Sequence, residues 1–357
     1  MKSLRASRAM VLGLMVVTAL AVTVKADPPF TIVTAGLASP RGLTFGPGGR
    51  LYVAQAGSGG HTGKITEITD AWTSAPAVRD VVTGLLSIPG ENPGEFVGVD
   101  GISALGNGNI AAIMAESQAS GEESPAGHLL QVNTGGRWRD VANVGDFNYA
   151  WSVDHQDLAP NDFKPGDSNP YGVLAVPGGV YVTDAGTNTL NFVKSNGDIS
   201  ILAYFPNNEI ADATPTCVAK GPDGALYVGT LALADSIVRG PSATVYRVDP
   251  SQAKPDDLNT VLTLATPWAT GLYPINGCAF GPDGTFYASQ LFTHWAPGFA
   301  AGDVVKIPFA TPNVHTSLTS GALTLPGGVA VGPDGAVYVS NGTAFVPQGG
   351  VLRLTNR

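Results

Sequence analysis

One eight-residue phrase recurs along the chain and limits the folds that the chain can adopt. It reads Gly-Pro-Asp-Gly-Ala-Val-Tyr-Val at 332–339, and related copies begin at Gly46, Gly221 and Gly281, with a more divergent copy at Val176. We call this phrase the refrain. Proline presets φ at the second position of a turn, aspartate tolerates the third, and glycine takes a left-handed conformation at the fourth. Each copy therefore predicts a tight hairpin between two strands.

The spacing of the refrain predicts how the hairpins are assembled. Apolar runs precede the copies, aromatic and β-branched runs follow them, and a third and a fourth strand, such as 199–205, complete the unit. The refrain tyrosines Tyr181, Tyr227, Tyr287 and Tyr338 are separated by 46, 60 and 51 residues. Repeats of roughly 40 to 50 residues with four short strands are typical of propeller blades.

Six such units account for the chain. Tyr52 and Tyr181 are 129 residues apart, and the segment 99–110 fills this interval as a diverged copy. The sequence thus predicts an all-β protein, a single six-bladed β-propeller of four-stranded blades over residues 27–357. The last unit stops after its third strand, whereas 30–37 has the pattern of an outer strand. We expect this N-terminal strand to complete the last blade and close the ring.

The first 26 residues have the pattern of an export signal. A basic start is followed by an apolar run and the small-residue ending Val24-Lys25-Ala26, which predicts cleavage after Ala26. Because the apolar run is short for a bilayer span, we expect a secreted or periplasmic protein without membrane insertion. The formal net charge is -9, and an acidic surface argues against a nucleic-acid partner.

The two cysteines fall on neighbouring blades. Cys217 lies four residues before Gly221, and Cys278 lies three residues before Gly281, which places both on inner strands. An exported protein permits a disulfide between them. The offset of one register step can instead direct the side chains to opposite faces, so two buried thiols are an equal alternative.

Propeller topology separates the tight refrain turns from a face that carries long loops, where binding and catalysis are usually found. The residue that opens each inner strand is expected to line the mouth of the central channel on this long-loop face. These candidate ligand-binding residues are Arg41, Asp100, Tyr171, Thr216 and Asn276. Arg41 and Asp100 fall on adjacent blades and can form an ion pair that plugs the channel or can line a ligand site.

Two histidines and a group of aromatic residues in the long loops are further candidates. His155 and His294 can each act as a base or contact a ligand, and each can equally be a hydrogen-bonded loop side chain. Trp295, with Phe292 and Phe299, can form an aromatic platform for a sugar or a planar ligand, or can pack against its own blade.

Three segments carry a resemblance to a known family. The segment 181–190 (Y-V-T-D-A-G-T-N-T-L) resembles an NHL-type blade. Together with D-S-N-P-Y-G-V at 167–173 and L-A-S-P-R-G-L at 37–43, it makes the mature chain similar to the ScyD/ScyE family of exported β-propellers over about residues 30–357. The resemblance implies a six-bladed propeller outside the cytoplasm, and it implies no catalytic residues.

Two classes of function follow. The first is a binding or accessory protein without a cofactor, which holds a small molecule, a glycan or a protein on the long-loop face. The alternative is a Ca²⁺-dependent lactonase or hydrolase, as in the similar gluconolactonase and strictosidine-synthase-like propellers. Asp100 and Asn276 are the residues that match such a metal site, and Arg41 departs from it. We rank the binding protein first and leave the enzyme as the alternative. A third possibility, a quinone-dependent sugar dehydrogenase using Arg41 and His155, has no support from their spacing.

Overall fold

The computed structural model describes residues 28–90, 92–158, 166–207, 210, 212–255, 257–293, 295–296 and 299–355, with backbone alone at 295, 296, 299 and 300. The export signal predicted at 1–26 lies outside the described residues. No helix in the described part of the chain is both long and apolar enough to cross a membrane.

The strands form six antiparallel sheets, each a blade of a β-propeller, which confirms the predicted fold. The first strand, β1 (Phe30–Leu37), belongs to the last blade. The strands of blades 1 to 3 follow in chain order: β2 (Pro40–Phe45), β3 (Leu51–Gln55), β4 (Gly60–Thr69), β5 (Ala77–Pro89) and the short β6 (Phe96–Val97); β7 (Val99–Ala104), β8 (Ile110–Met114), β9 (His128–Val132) and β10 (Trp138–Asn143); β11 (Pro170–Val176), β12 (Gly179–Asp184), β13 (Thr189–Lys194) and β14 (Ile199–Tyr204). The diverged copy at 99–110 is therefore the inner hairpin of blade 2.

Blades 4 to 6 repeat the arrangement, with extra short strands in blade 5. Their strands are β15 (Pro215–Lys220), β16 (Leu226–Thr230), β17 (Ala243–Val248) and β18 (Thr266–Leu272); β19 (Ile275–Phe280), β20 (Phe286–Gln290), β21 (Trp295–Ala296), β22 (Phe299–Ile307), β23 (Thr316–Ser317) and β24 (Leu323–Thr324); β25 (Val329–Val331), β26 (Val337–Asn341) and β27 (Gly349–Leu354). In blade 5 the outer strand is divided, because β23 and β24 both pair with β22.

The N-terminal strand closes the ring as predicted. β1 pairs antiparallel with β27, with Phe30 opposite Leu354 and Leu37 opposite Gly349. The last blade therefore has the order β1-β27-β26-β25. This pairing covers the edge of β27 and joins the two ends of the described chain in one sheet.

Short helices interrupt the connections between strands. They are α1 (Val144–Asp154), α2 (Leu233–Arg239) and α3 (Leu258–Thr263), with single 3-10 turns at Pro47–Gly49, Gln156–Leu158 and Pro250–Gln252. α1 lies between blades 2 and 3, and α2 lies in the connection between β16 and β17. Both belong to connections on the long-loop face.

The refrain owes its composition to a contact within the blade. In blade 6 the carboxylate of Asp334 accepts hydrogen bonds from the Tyr338 hydroxyl at 3.2 Å and from Nε of Arg353 on β27 at 2.8 Å. Burial, with the charge of Asp334 adding to it, raises the pKa of Tyr338 to about 12. The same residue types make the same contacts in blade 4, at Asp223, Tyr227 and Arg247. The aspartate thus ties the hairpin turn to the third strand.

The segment that carries the family resemblance is held together by one buried carboxylate. Asp184 ends β12, and its Oδ1 accepts from the backbone N–H groups of Asn169 at 2.8 Å and Thr187 at 3.0 Å. Its Oδ2 accepts from Ser168 Oγ and from Asn148 Nδ2 of α1, both at 2.7 Å. The D-S-N-P-Y-G and T-D-A-G-T-N motifs therefore form one capped turn, consistent with a structural role for Asp184.

Neighbouring blades approach each other most closely beside the channel axis. In blade 6 the position that corresponds to Arg41 is Gly327. The residue that follows this position is glycine in five blades: Gly42, Gly101, Gly172, Gly277 and Gly328. A Cβ at Gly328 would lie 2.7 Å from the Arg41 carbonyl, and one at Gly101 would overlap the Tyr171 carbonyl. Each glycine admits the backbone of the next blade around the ring.

The sixth of these positions is Cys217, which forms a disulfide with Cys278, with the two Cα atoms 5.8 Å apart. Propeller blades pack face against face, so one face of blade 4 meets the opposite face of blade 5. The offset of one register step places the cysteines on opposite sheet faces and thereby directs them toward each other. This arrangement decides between the two alternatives that the sequence left open.

We expect removal of β1 to destabilise the protein strongly. Deletion of residues 28–37 withdraws the buried side chains Val33 and Leu37 and exposes the edge of β27. Each such side chain contributes roughly 1.5–3 kcal/mol, so urea unfolding should show a loss of about 3–6 kcal/mol. Ile32 on the same strand is 69% exposed, and Ile32→Ser is the matched control with a change near zero. An unchanged midpoint for the deletion would contradict ring closure by β1.

Gly101→Ala tests the close approach of the blades. The added methyl meets the Tyr171 carbonyl and the Ile113 side chain, so we expect a loss of about 1–3 kcal/mol in chemical unfolding from overpacking. Gly135→Ala is the control, because that glycine lies in a turn where the nearest atom, Asn133 Oδ1, is 3.2 Å from the added Cβ. Equal stability of the two variants would show that the contact beside the axis is not tight.

Candidate site at the mouth of the central channel

A local bulge marks each of the five candidate positions on the inner strands. The pairing between inner and second strand shifts register between Pro40 and Leu43 in blade 1 and between Val99 and Gly101 in blade 2. Blades 3, 4 and 5 have the same shift at the same level. The channel-mouth residue lies inside each shifted interval, where a bulge redirects one side chain away from the sheet. The shared ring inferred from the refrain is therefore a structural feature of the inner strands.

A chain of hydrogen bonds crosses the channel between alternate blades. Nη1 of Arg41 donates to the Tyr171 hydroxyl at 3.3 Å, and this hydroxyl donates to Oδ1 of Asn276 at 2.7 Å. Nδ2 of Asn276 then donates to the carbonyl of Pro326 at 3.1 Å, at the entry to blade 6. These side chains close the mouth of the channel from blade 1 to blade 6. We call Arg41, Tyr171, Asn276 and Asp100, the ion-pair partner of Arg41, the plug.

Arg41 and Asp100 form the expected ion pair inside this plug. Nε of Arg41 lies 3.8 Å from Oδ1 of Asp100, and the two side chains are 8% and 0% exposed. Nη2 of Arg41 donates to the carbonyl of Phe96, and Oδ1 of Asp100 accepts from the Gly98 N–H at 3.1 Å. Nε of Arg41 and Oδ2 of Asp100 are buried without a hydrogen-bond partner among the described residues.

Burial and charge act in opposite directions on this pair. Burial, the largest single effect, acts to lower the pKa of Arg41, but attraction to Asp100, together with Tyr171, outweighs it and the pKa is raised. Burial raises the pKa of Asp100, and the attraction to Arg41 only partly offsets this. Burial likewise raises the pKa of Tyr171. The plug therefore holds a permanently charged guanidinium against an enclosed carboxyl group.

Thr216 occupies the ring but takes no part in the plug. Its hydroxyl donates to the backbone carbonyl of Ile275 at 2.6 Å, across the seam between blades 4 and 5. With Asp100, Tyr171 and Asn276 it lines a channel cavity of about 60 Å³. This volume holds a few water molecules and is too small for a substrate. Four of the five candidates thus contact one another at the channel mouth. The hydroxyl of the fifth, Thr216, binds a backbone carbonyl instead.

The donor set at the channel mouth does not fit calcium. Ca²⁺ requires six to eight oxygen ligands, usually with several carboxylates. Asp100 is the one carboxylate of the plug, Asn276 Oδ1 accepts from Tyr171, and the Arg41 guanidinium stands 3.8 Å from Asp100. Within the described ranges, no group of three or more His, Cys, Asp and Glu residues is arranged to hold a metal ion.

The structure gives His155 a local role. Its Nδ1 lies 2.8 Å from the Trp151 carbonyl, and its ring stacks on the Trp151 ring at 4.3 Å just beyond the end of α1. His294 lies outside the described residues, and of Trp295 only the backbone, in β21, is described. Phe292, expected to help form an aromatic platform, is fully buried and packs near Tyr273 at a ring distance of 6.3 Å. Of the two alternatives for Phe292, the structure therefore favours packing over a place in an aromatic platform.

Sequence reasoning missed a cleft above the plug, on the long-loop face. Phe345, which is 50% exposed, donates its N–H to the Gly94 carbonyl at 2.9 Å and so joins the loop of blade 6 to the loop that carries Phe96. The two phenylalanines line a cleft of about 310 Å³ between them, and Phe96 also accepts from Arg41. Phe345 has a left-handed backbone, with φ of 60°, which is strained for a non-glycine residue.

Comparison with known proteins supports the fold and no closer relationship. No protein-family model matches the chain, and no curated protein matches it in sequence. Among solved structures, it is similar to a Thermus thermophilus protein assigned as a glucose dehydrogenase-type oxidoreductase, with a TM-score of 0.55 and 17% identity over 91% of this chain and 99% of that chain.

Two further structures show the same similarity. Regucalcin from Agrobacterium tumefaciens, a calcium-binding protein, gives a TM-score of 0.53 and 15% identity over 92% of this chain and 94% of that one. A protein assigned as a gluconolactonase gives 0.54 and 13% identity over 93% and 94%. At such identities the similarity shows a shared six-bladed propeller fold, and function has to be argued from the site.

A double-mutant cycle tests the Arg41–Asp100 pair. Arg41→Met leaves a buried carboxyl without its counter-charge and should destabilise the protein by about 3–5 kcal/mol in chemical unfolding. Arg41→Met/Asp100→Asn should recover a large part of this loss, with a coupling energy of at least about 1.5 kcal/mol. Lys194→Ala is the control, because Lys194 and Asp198 form an exposed pair worth less than about 1 kcal/mol. Strict additivity would show that the two charges do not depend on each other.

Proposed function

We propose that this chain is an exported, non-catalytic propeller of the ScyD/ScyE kind that binds a small molecule on its long-loop face. The observation that carries the proposal is the position of Arg41. Its guanidinium, paired with Asp100 and hydrogen-bonded to Tyr171, occupies the channel mouth, where a catalytic cation would need oxygen ligands.

The competing proposal is a Ca²⁺-dependent lactonase. In its favour are the propeller fold shared with calcium-binding regucalcin and with a protein assigned as a gluconolactonase, and the presence of Asp100 and Asn276 at the mouth. Against it, a divalent cation beside Arg41 would face a fixed positive charge that lies 3.8 Å from the Asp100 carboxylate. We therefore rank the lactonase second.

The ligand site that we favour is the cleft between Phe96 and Phe345. Its volume of about 310 Å³ lies at the lower end of the range for small-molecule pockets. Two phenyl rings favour a planar apolar group, which aromatic side chains bind by stacking or edge contact. A glycan or a protein would need a wider surface than this cleft provides.

The compartment forms part of the proposal. The predicted signal at 1–26 would direct the chain out of the cytoplasm. The Cys217–Cys278 disulfide supports this location, because structural disulfides persist mainly in oxidising compartments. The acidic net charge of -9 is consistent with a soluble partner that is neither nucleic acid nor an anionic membrane.

The cleft is tested with an uncharged fluorescent probe, N-phenyl-1-naphthylamine, added to residues 27–357. We expect saturable binding that Phe345→Ala weakens about tenfold, since loss of one aromatic contact costs roughly 1–1.5 kcal/mol. Val314→Ala is the control, because Val314 is 53% exposed outside the cleft. Equal affinities of wild type and Phe345→Ala would remove the cleft from the proposal.

Measurements of melting temperature and turnover on residues 27–357 distinguish binding from calcium-dependent catalysis. CaCl₂ at about 5 mM exceeds the dissociation constants of even weak extracellular calcium sites, and we expect it to leave the melting temperature unchanged. A panel of lactones and esters should show no turnover with or without calcium. A calcium-induced rise in melting temperature that Asp100→Asn abolishes, or turnover of a lactone, would reverse the ranking.

A further inference from the structure

The opposite end of the channel opens into a basin among the refrain turns. The basin has a volume of about 740 Å³ and is lined by residues of blades 1, 4, 5 and 6. Three refrain prolines, Pro222, Pro282 and Pro333, line it together with the half-buried rings of Phe45 and Phe280. Apart from Lys220, the side chains of this lining are therefore apolar, although the basin lies at the surface of an acidic protein.

The refrain aspartates do not reach this lining. Asp223 and Asp334 are held by Arg247 and Arg353 of the third strands, at 2.8 Å in both blades. Asp283 accepts from the Thr285 hydroxyl at 2.9 Å, within its own turn. The contacts that fix the turns therefore draw the three carboxylates away from the axis and leave the proline rings beside it.

Among the residues that the structure describes, Lys220 is the one charged side chain that lines the basin. It ends β15 directly before the refrain glycine, a position held by Phe45, Phe280 and Val331 in the other lining blades. Lys220 is exposed and forms no ion pair with another described residue. A single cation thus stands where the repeat otherwise places an apolar side chain.

We propose that this basin is a second ligand site, which binds a small amphipathic anion. A carboxylate or sulfonate group pairs with Lys220, and an aromatic or alicyclic body packs on Phe45, Phe280 and the refrain prolines. The volume matches that of pockets for drug-sized molecules, which are mostly apolar with a few placed polar groups. The proposal is independent of the cleft on the long-loop face, because the two sites share no residue.

The test uses 8-anilinonaphthalene-1-sulfonate, an aromatic sulfonate whose fluorescence rises in apolar surroundings, with residues 27–357. We expect saturable binding that Lys220→Ala weakens about fivefold and Lys220→Glu more strongly, while Lys220→Arg retains it. Added salt should weaken binding to wild type and not to Lys220→Ala, because screening acts on the ion pair. Lys254→Ala, which removes an exposed lysine elsewhere, should bind as wild type does.

Two comparisons make the result specific. The uncharged N-phenyl-1-naphthylamine should bind Lys220→Glu and wild type equally, and Phe345→Ala should not alter sulfonate binding. Sulfonate affinity that is the same for wild type and Lys220→Glu overturns the proposal. Sulfonate binding that Phe345→Ala reduces and Lys220→Glu leaves intact also overturns it, and it locates the anion in the long-loop cleft instead. The thermal unfolding of each variant shows whether the fold is retained.

Discussion

The close approach of the six inner strands around the axis is the constraint on which the rest of the structure depends. Each inner strand places a residue without a large side chain against the backbone of the next blade. At Gly328 the next backbone is the Arg41 carbonyl of blade 1, so the contact also closes the ring. The Ser340 hydroxyl donates to this same carbonyl at 2.7 Å. Backbone contact, rather than interlocking side chains, therefore sets the width of the channel.

The narrow channel leaves too little space for a substrate inside it. The bulges direct Arg41, Asp100, Tyr171 and Asn276 inward, and four polar side chains suffice to close the mouth. The cavity that remains has a volume of about 60 Å³, which is room for a few water molecules. Space for ligands is found at the two ends, above the plug between phenylalanines and below it among the refrain turns. Because the inner strands lie so close together, the candidate ligand sites lie at the two ends of the channel and not inside it.

The refrain has two roles that its residues divide between them. Its aspartate and tyrosine connect the turn to an arginine of the third strand, as Asp334, Tyr338 and Arg353 show. Its proline faces the axis and forms part of the wall of the basin. The refrain, which in the sequence has only a structural role, therefore also forms part of the basin surface. The substitution of lysine for an apolar residue in one blade, at Lys220, gives that surface a charge.

Much of this architecture was predictable, because turns and strand periodicity are local properties of the chain. The refrain and its diverged copy at 99–110 predicted the hairpins, the six blades and the ring that contains Arg41 and Asp100, and the outer-strand pattern of 30–37 predicted its pairing with the last blade. Tertiary structure decided which ring residues meet. Arg41 and Tyr171 are 130 residues apart and touch across alternate blades, whereas Thr216 turns into a seam. Face-to-face packing of blades 4 and 5 brings Cys217 and Cys278 close enough to form a disulfide. The cleft at Phe345 forms where the loops that carry Gly94 and Phe345 meet. Local sequence specifies each blade, but contacts between residues distant in sequence exist only after the ring has closed.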